Sequence, residues 1–435
     1  MNANVAVSDS TTHSVDNRYV HGLDRQYVFH SWAQQGSLDP MVIAGAQGCR
    51  VWDYAGREYL DFSSQLVNTN IGHQHPSVVS AIQAQAASLC TIAPAHANLA
   101  RGEAAKRIIA KAPAGFSKVF FTNAGADANE NAIRMARLYT GRTKILSAYR
   151  SYHGNTGSAI AATVHFFNPY LYRSEFWARD EDEECERALT HLRRVIECEG
   201  ANAVAAILLE TIPGTAGVLL PPKAYLQGVR QLADEFGIVL ILDEVMAGFG
   251  RTGRWFAFEH YDMAPDLIVF AKGVNSGYVP AGGVIISEPI SRYFDDHFFV
   301  GGLTYSGHPL AMAAIVATLD AMEAEGIVEN ADKIGNGPLA EGLKKLAERH
   351  TIIGDWRGVG VFHALELVSD PVRKTPLPGT EVLKLKQLLM EQGLLVFTVE
   401  NRIHVVPPCI VTPEEVEEGL AILERVFESY AASRE

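Results

Sequence analysis

The chain has 435 residues, 48% of them hydrophobic, and a formal net charge of −13. That length exceeds a typical single domain and provides for a large buried core, while the negative balance argues against a main task on the phosphate backbone of nucleic acid, whose readers present a basic face. No stretch of about 18 or more uncharged apolar residues occurs, and residues 1–17 lack the basic, apolar and small-residue succession of a signal peptide, so neither a membrane span nor secretion is expected and the cytoplasm is the default compartment.

In chain order, His73-Gln74-His75 beside a Gly and a Pro reads as a loop rather than a metal site. Short apolar runs rich in Val and Ile follow at 118–123, 203–210, 237–243, 266–271 and 283–287, the pattern of buried parallel strands. The first leads through Asn123-Ala124-Gly125-Ala126 into a helical run over 127–137, and the acidic stretch 180–186 reads as a solvated face. A helical stretch over 226–236 joins the second and third runs, which implies a right-handed crossover. Beyond Pro309 the chain changes character: a helix places Leu339, Leu343 and Leu346 on one face, a strand is expected over 358–367, and 368–380 reads as a surface loop. Thr412, Pro413 and Glu415 predict the start of a last helix through a capping box. Cys49, Cys90, Cys185, Cys198 and Cys409 are odd in number and never spaced as CxxC, which suits reduced thiols.

In open α/β sheets ligands sit beyond the carboxyl ends of the strands. Four such ends carry chemistry: the Gly125-Ala126 turn, Glu210, Asp243 and Lys272. The turn opens a helix, whose N–H groups and positive end suit an anion such as phosphate. Asp243 ends an all-apolar run, where a carboxylate needs a cationic partner such as a pyridinium nitrogen. Lys272 follows another apolar run, and a desolvated lysine loses proton affinity and can form a Schiff base.

These segments resemble the class III (ω-amino acid) aminotransferases of pyridoxal 5'-phosphate (PLP) fold type I. The resemblance runs from Trp52-Asp53 and Tyr59-Leu60-Asp61-Phe62, through Asp243-Glu244-Val245, Gly248-Phe249-Gly250-Arg251-Thr252-Gly253 and 265–272, to Pro407-Pro408. It implies an α/β fold: a large domain with a mainly parallel central sheet flanked by helices, over 76–309, and a smaller α+β domain built from both chain ends, 1–75 (with an arm) and 310–435. It also implies that Gly125 and Ala126 bind the cofactor phosphate, that Tyr152 stacks on one ring face with His153 beside it, and that Val245 covers the other. Glu210 would stand near the reacting end. Thr304 would reach the phosphate of the neighbouring subunit, making a homodimer, or a tetramer of such dimers, part of the mechanism. Amine and 2-oxo acid would react in turn by ping-pong kinetics, with Lys272 as general base.

Three departures matter. Ala124 and Ala126 stand where many relatives carry serines, Thr211 replaces the usual Pro after Glu210, and His404 occupies the place of an arginine three residues before the Pro-Pro pair. Arg402 lies two residues before His404, on the same face of a strand, and is expected with it to bind the substrate's acid group; Trp32 is expected to wall the pocket. The run 401–409 with 302–308 looks most like the taurine:2-oxoglutarate branch of the family. Two rivals stand beside this reading: an aminomutase or decarboxylase of the same fold, and, more distantly, a nicotinamide oxidoreductase, because 248–253 satisfies GxGxxG.

Overall fold

A computed structural model describes residues 15–160 and 164–433. Residues 1–14, on which part of the signal-peptide reading rests, lie outside the described residues. Among the described residues the central sheet has seven strands: β1 (Phe116–Thr122), β2 (Lys144–Ala148), β3 (Val164–Phe166), β4 (Val204–Glu210), β5 (Val239–Asp243), β6 (Leu267–Phe270) and β7 (Gly282–Ser287), in the spatial order β1-β7-β6-β5-β4-β2-β3. Neighbours from β6 to β3 pair parallel, whereas β7 runs antiparallel to both β1 and β6. The reversal was not readable from the residues because β7 is buried on both faces, so its apolar run is continuous whichever way it points.

Period-two alternation divides each run between two cores. Ile207, Leu240, Ile268 and Phe270 face one, Leu208, Val239, Ile241 and Val269 the other. Helix α1 (Gly125–Thr140) covers the second face through Ala128, Ala132 and Ile133. Helices α2 (Glu181–Glu199) and α3 (Lys223–Phe236) cover the first through Leu192, Leu226 and Val229. The acidic stretch forms the first turn of α2, where carboxylates favour the helix dipole. Glu184 departs from the solvated reading: it is buried and accepts the Tyr170 N–H at 2.8 Å.

The strand expected over 358–367 is instead the bend of a hairpin, β8 (Ile353–Val359) and β9 (Phe362–Asp370), turned at Gly360, whose φ of 58° suits glycine. With β10 (Phe397–Val399) and β11 (Arg402–Val405) it builds a second antiparallel sheet. Part of the expected surface loop therefore belongs to β9. Helix α4 (Ala340–Arg349) buries Leu343 and Leu346, and α5 (Pro413–Ala432) begins with the Thr412–Glu415 capping box. In a third sheet Leu394–Leu395 pairs parallel with Glu58–Asp61, joining the two ends of the chain.

The GxGxxG segment opens no helix. It forms turns in which Phe249, Gly250 and Gly253 have positive φ, and its Arg251 is wholly buried as a staple. Arg251 Nη1 donates to the carbonyl of Pro407, and Nη2 donates to Ser64 Oγ at 3.2 Å and Asn70 Oδ1 at 2.8 Å. The dinucleotide reading falls with that geometry. Among the described residues no helix is long and apolar enough to cross a membrane.

Candidate active site

The parallel register sets Glu210 beside Asp243 and Asp243 beside Val269, which brings the carboxyl ends of β4, β5 and β6 to one edge. They open on a cavity of about 560 Å3 lined by Trp32, Gly125, Ala126, Tyr152, His153, Glu210, Asp243, Val245 and Lys272, nine of the twelve residues expected at the site.

Asp243 is the most constrained group. Its Oδ2 accepts from Asn129 Nδ2 and His153 Nδ1, both at 2.8 Å, and its Oδ1 from the Val245 N–H at 3.0 Å. Three donors fix the position and orientation of this carboxyl. His153, whose Nε2 lies 3.1 Å from Ser147 Oγ, thus braces Asp243. Asn129 was missed in the sequence; its one signal is a polar residue four positions after Gly125, on the same side of α1.

Lys272 starts a short turn directly after β6, with a left-handed φ of 46°, a conformation costly for a residue with a side chain. Gly273 follows because any Cβ there would lie 2.3 Å from Asn70 Nδ2. Burial lowers the Lys272 ammonium from 10.5 to about 8, against the pull of Asp243 and Glu210. Glu210 moves the opposite way, to about 7, because burial opposes its charge and Asp243 adds repulsion, although His153 draws it down.

Thr211 does not loosen Glu210. The Tyr152 and Gly214 N–H groups hold the two carboxyl oxygens, each at 2.8 Å, and the Thr211 hydroxyl donates to Glu244 Oε1 at 2.6 Å, a bond that proline could not make.

The anion end of the cavity is backbone. Ala124, at the N-cap of α1, contributes no side-chain hydrogen bond, so the first-turn N–H groups face the cavity without a cap. Close packing keeps this end small: a Cβ on Gly125 would lie 2.9 Å from Val245 Cγ2, and one on Gly154 would lie 2.4 Å from Ala126 Cβ. Trp32 meets the Tyr152 ring edge-on, with centroids 6.1 Å apart, and Phe397 adds a further wall.

Three expected residues do not line the cavity. Thr304 lies exposed in a turn before Pro309. Arg402 and His404 do share one face of β11, but that face packs on the turn 213–219, whose Thr215 is what lines the cavity. Arg402 pairs with Glu400, and His404 is wholly buried with Nε2 2.9 Å from the Gly214 carbonyl. Neither is placed to touch a substrate directly.

What remains to satisfy is an anion cradle, a buried carboxylate that calls for a cation, and an amine of lowered basicity. A phosphorylated aromatic aldehyde with a protonated ring nitrogen meets all three, which puts the protein among the pyridoxal-phosphate enzymes. The family model described as Aminotransferase class-III matches residues 32–427, and the chain belongs to that family. The chain is 31% identical to a taurine–pyruvate aminotransferase of Bilophila wadsworthia (93% of this chain, 96% of the relative). It is 30% identical to a putrescine–pyruvate aminotransferase of Pseudomonas aeruginosa (93% and 94%). A crystal structure of taurine:2-oxoglutarate aminotransferase from Bifidobacterium kashiwanohense, in complex with PLP and glutamate, is similar with a TM-score of 0.92 and 41% identity, over 95% of this chain and 98% of that one.

Proposed function

We propose that this aminotransferase moves the amino group of an ω-amino acid, a taurine-like aminosulfonate or a related amine to 2-oxoglutarate or pyruvate by ping-pong kinetics. The observation that carries the reading is the meeting, at one sheet edge, of a half-buried lysine of lowered basicity with a carboxylate fixed by three donors. The taurine-acting relatives support the choice of donor.

Pyridoxal phosphate supplies an aldehyde that carries nitrogen and a ring that accepts electron density. Gly125 and Ala126 would hold its phosphate through backbone N–H groups, and Asp243 would keep a proton on its ring nitrogen. Tyr152 and Val245 would close over its two faces. Lys272 Nζ, partly uncharged near neutral pH, takes the substrate's proton as general base and returns it to the product. Glu210, about half protonated near pH 7, can give or receive a proton at its carboxyl. Trp32 and Phe397 narrow the access of water.

The working unit is a homodimer, or a tetramer of dimers, in which Thr304 of one subunit serves the other's phosphate; the exposure of Thr304 away from its own cavity supports this. Boundaries near residues 75 and 309 separate the large domain from a small one made of both chain ends. Five unpaired cysteines suit a cytoplasmic home. The test is direct: PLP-loaded protein is given taurine, β-alanine, 4-aminobutyrate or a diamine, each with 2-oxoglutarate and with pyruvate. Glutamate or alanine should form in equal amount to the amine consumed. Amine loss without a new amino acid would overturn the reading.

A further inference from the structure

The turn 213–219 stands between the second sheet and Glu210, and it is closed on itself. The Gly214 carbonyl accepts from the Gly217 and Val218 N–H groups at 2.9 and 3.1 Å, and the Leu219 N–H returns to Pro213 at 3.1 Å. Two side chains of the second sheet fasten this unit from outside: His404, with Nε2 2.9 Å from the Gly214 carbonyl, and Arg357, whose Nε donates to the Gly217 carbonyl at 2.7 Å. On its other side Gly214 donates its N–H to Glu210 Oε2 at 2.8 Å. Gly214 has no spare room, since a Cβ there would lie 2.6 Å from Met246 Sδ and 3.0 Å from Phe362 Cζ. The His404 ring also packs on Phe397, a wall of the cavity, with centroids 5.1 Å apart.

We propose that His404 is a positioning residue for Glu210, acting through the Gly214 turn, and is not a ligand of the substrate's acid group. The proposal rests on the transaminase reading above and deepens it. A carbonyl only accepts, so Nε2 carries the proton in its bond to Gly214, and the ring's other side lies against the Phe397 backbone. A neutral ring with its single N–H engaged cannot pair with a carboxylate or sulfonate. Burial keeps it neutral, pushing it down to about 4, and Arg402 and Arg357 oppose any charge on it further. The groups facing Glu210 are His153, Asp243 and Lys272, together with the Gly214 and Tyr152 N–H donors that favour its charged form.

The test uses holoenzyme carrying His404→Leu, which has no donor, His404→Asn, which is polar but too short to reach Gly214, and His404→Gln, which restores a donor near Nε2. His404→Leu and His404→Asn should each lower kcat on the order of tenfold, the size of one buried hydrogen bond, with KM for the acidic substrates little changed. His404→Gln should recover most of the loss. In a Glu210→Gln background His404→Leu should add nothing, because both changes act at one carboxyl. The Glu210 carboxyl, followed by infrared difference against Glu210→Gln, should titrate at higher pH in His404→Leu, where the Gly214 donor is no longer held. A raised KM for acidic substrates at unchanged kcat, additivity with Glu210→Gln, or an unmoved carboxyl titration would overturn the proposal. If the parent holoenzyme transferred no amino group, the transaminase reading would fail, while the carboxyl titration would still decide this one.

Discussion

Two clusters of buried charge lie near one another and behave in opposite ways. On the second sheet, Glu366 accepts from Tyr170, Arg173 and Arg357, and Arg357 also pairs with Asp355. Burial would raise Glu366, yet these partners hold it below its ordinary value, and Arg357 and Arg173 stand above theirs; Asp355 and Tyr170 are pushed by burial toward their neutral forms. At the cavity, burial wins: Glu210 rises to about 7 and Lys272 falls to about 8. Burial by itself therefore does not decide the chemistry. Where opposite charges are matched the cluster stays ionised and is structural, and where they are left unmatched the groups move toward neutrality and become able to exchange protons.

Substitutions on each side sharpen that contrast. Lys272→Ala should lower amine transfer by about 10⁴-fold, the upper range for loss of a general base, with no fall in the urea midpoint of the PLP-free protein. Asp243→Asn, which keeps shape but removes charge, should cost about 10²–10³-fold in kcat and weaken PLP retention, followed by the visible absorbance of the bound cofactor. Glu366→Gln should reverse the pattern: stability should fall by about 3 kcal/mol, since Arg357 and Arg173 both lose the charge of the acceptor they share, while kcat per folded molecule stays close to the parent's. Equal damage to activity and stability in all three would erase the distinction.

Smaller effects follow from pH. In PLP-free protein Lys272 sits at about 8 against 10.5 when unfolded, so the unfolded chain binds more protons across that window and this group's contribution to stability rises with pH from about 8 to 10.5. Glu210, at about 7 against 4.5, binds more protons when folded, and its contribution falls as pH rises from 4.5 to about 7. Urea midpoints of Lys272→Ala and Glu210→Gln across these ranges should each lack the corresponding slope. Thr211→Val should cost about 1 kcal/mol at pH 8 and less at pH 5, because the hydroxyl it removes supports the charged form of Glu244.

The residues that change an apolar strand abruptly into a charge, Asp243 and Lys272, were legible in the sequence because a buried run tolerates such an ending only at a sheet edge. Period-two reasoning also put Arg402 and His404 on one face of a strand. It could not say what that face meets, and the answer is the turn 213–219. Asn129 and His153 converge on Asp243 from two distant segments, a closeness that no local spacing encodes. The hairpin at Gly360 was hidden because its first strand, Ile353–Val359, is mostly half-buried and carries Asp355 and Arg357, so no apolar run marks it, whereas the second strand is buried almost throughout.

Arg251 gives the molecule an order of completion. Its acceptors sit on Ser64, Asn70, Val361, Val406 and Pro407, so a growing polypeptide cannot complete the set around this guanidinium until synthesis has passed position 407. A chain cut short of that point would leave Nη1 of a buried charge without its Val406 and Pro407 carbonyls. The enzyme is thus sealed by its last-made segment, and premature termination there should yield insoluble product rather than a weakened catalyst.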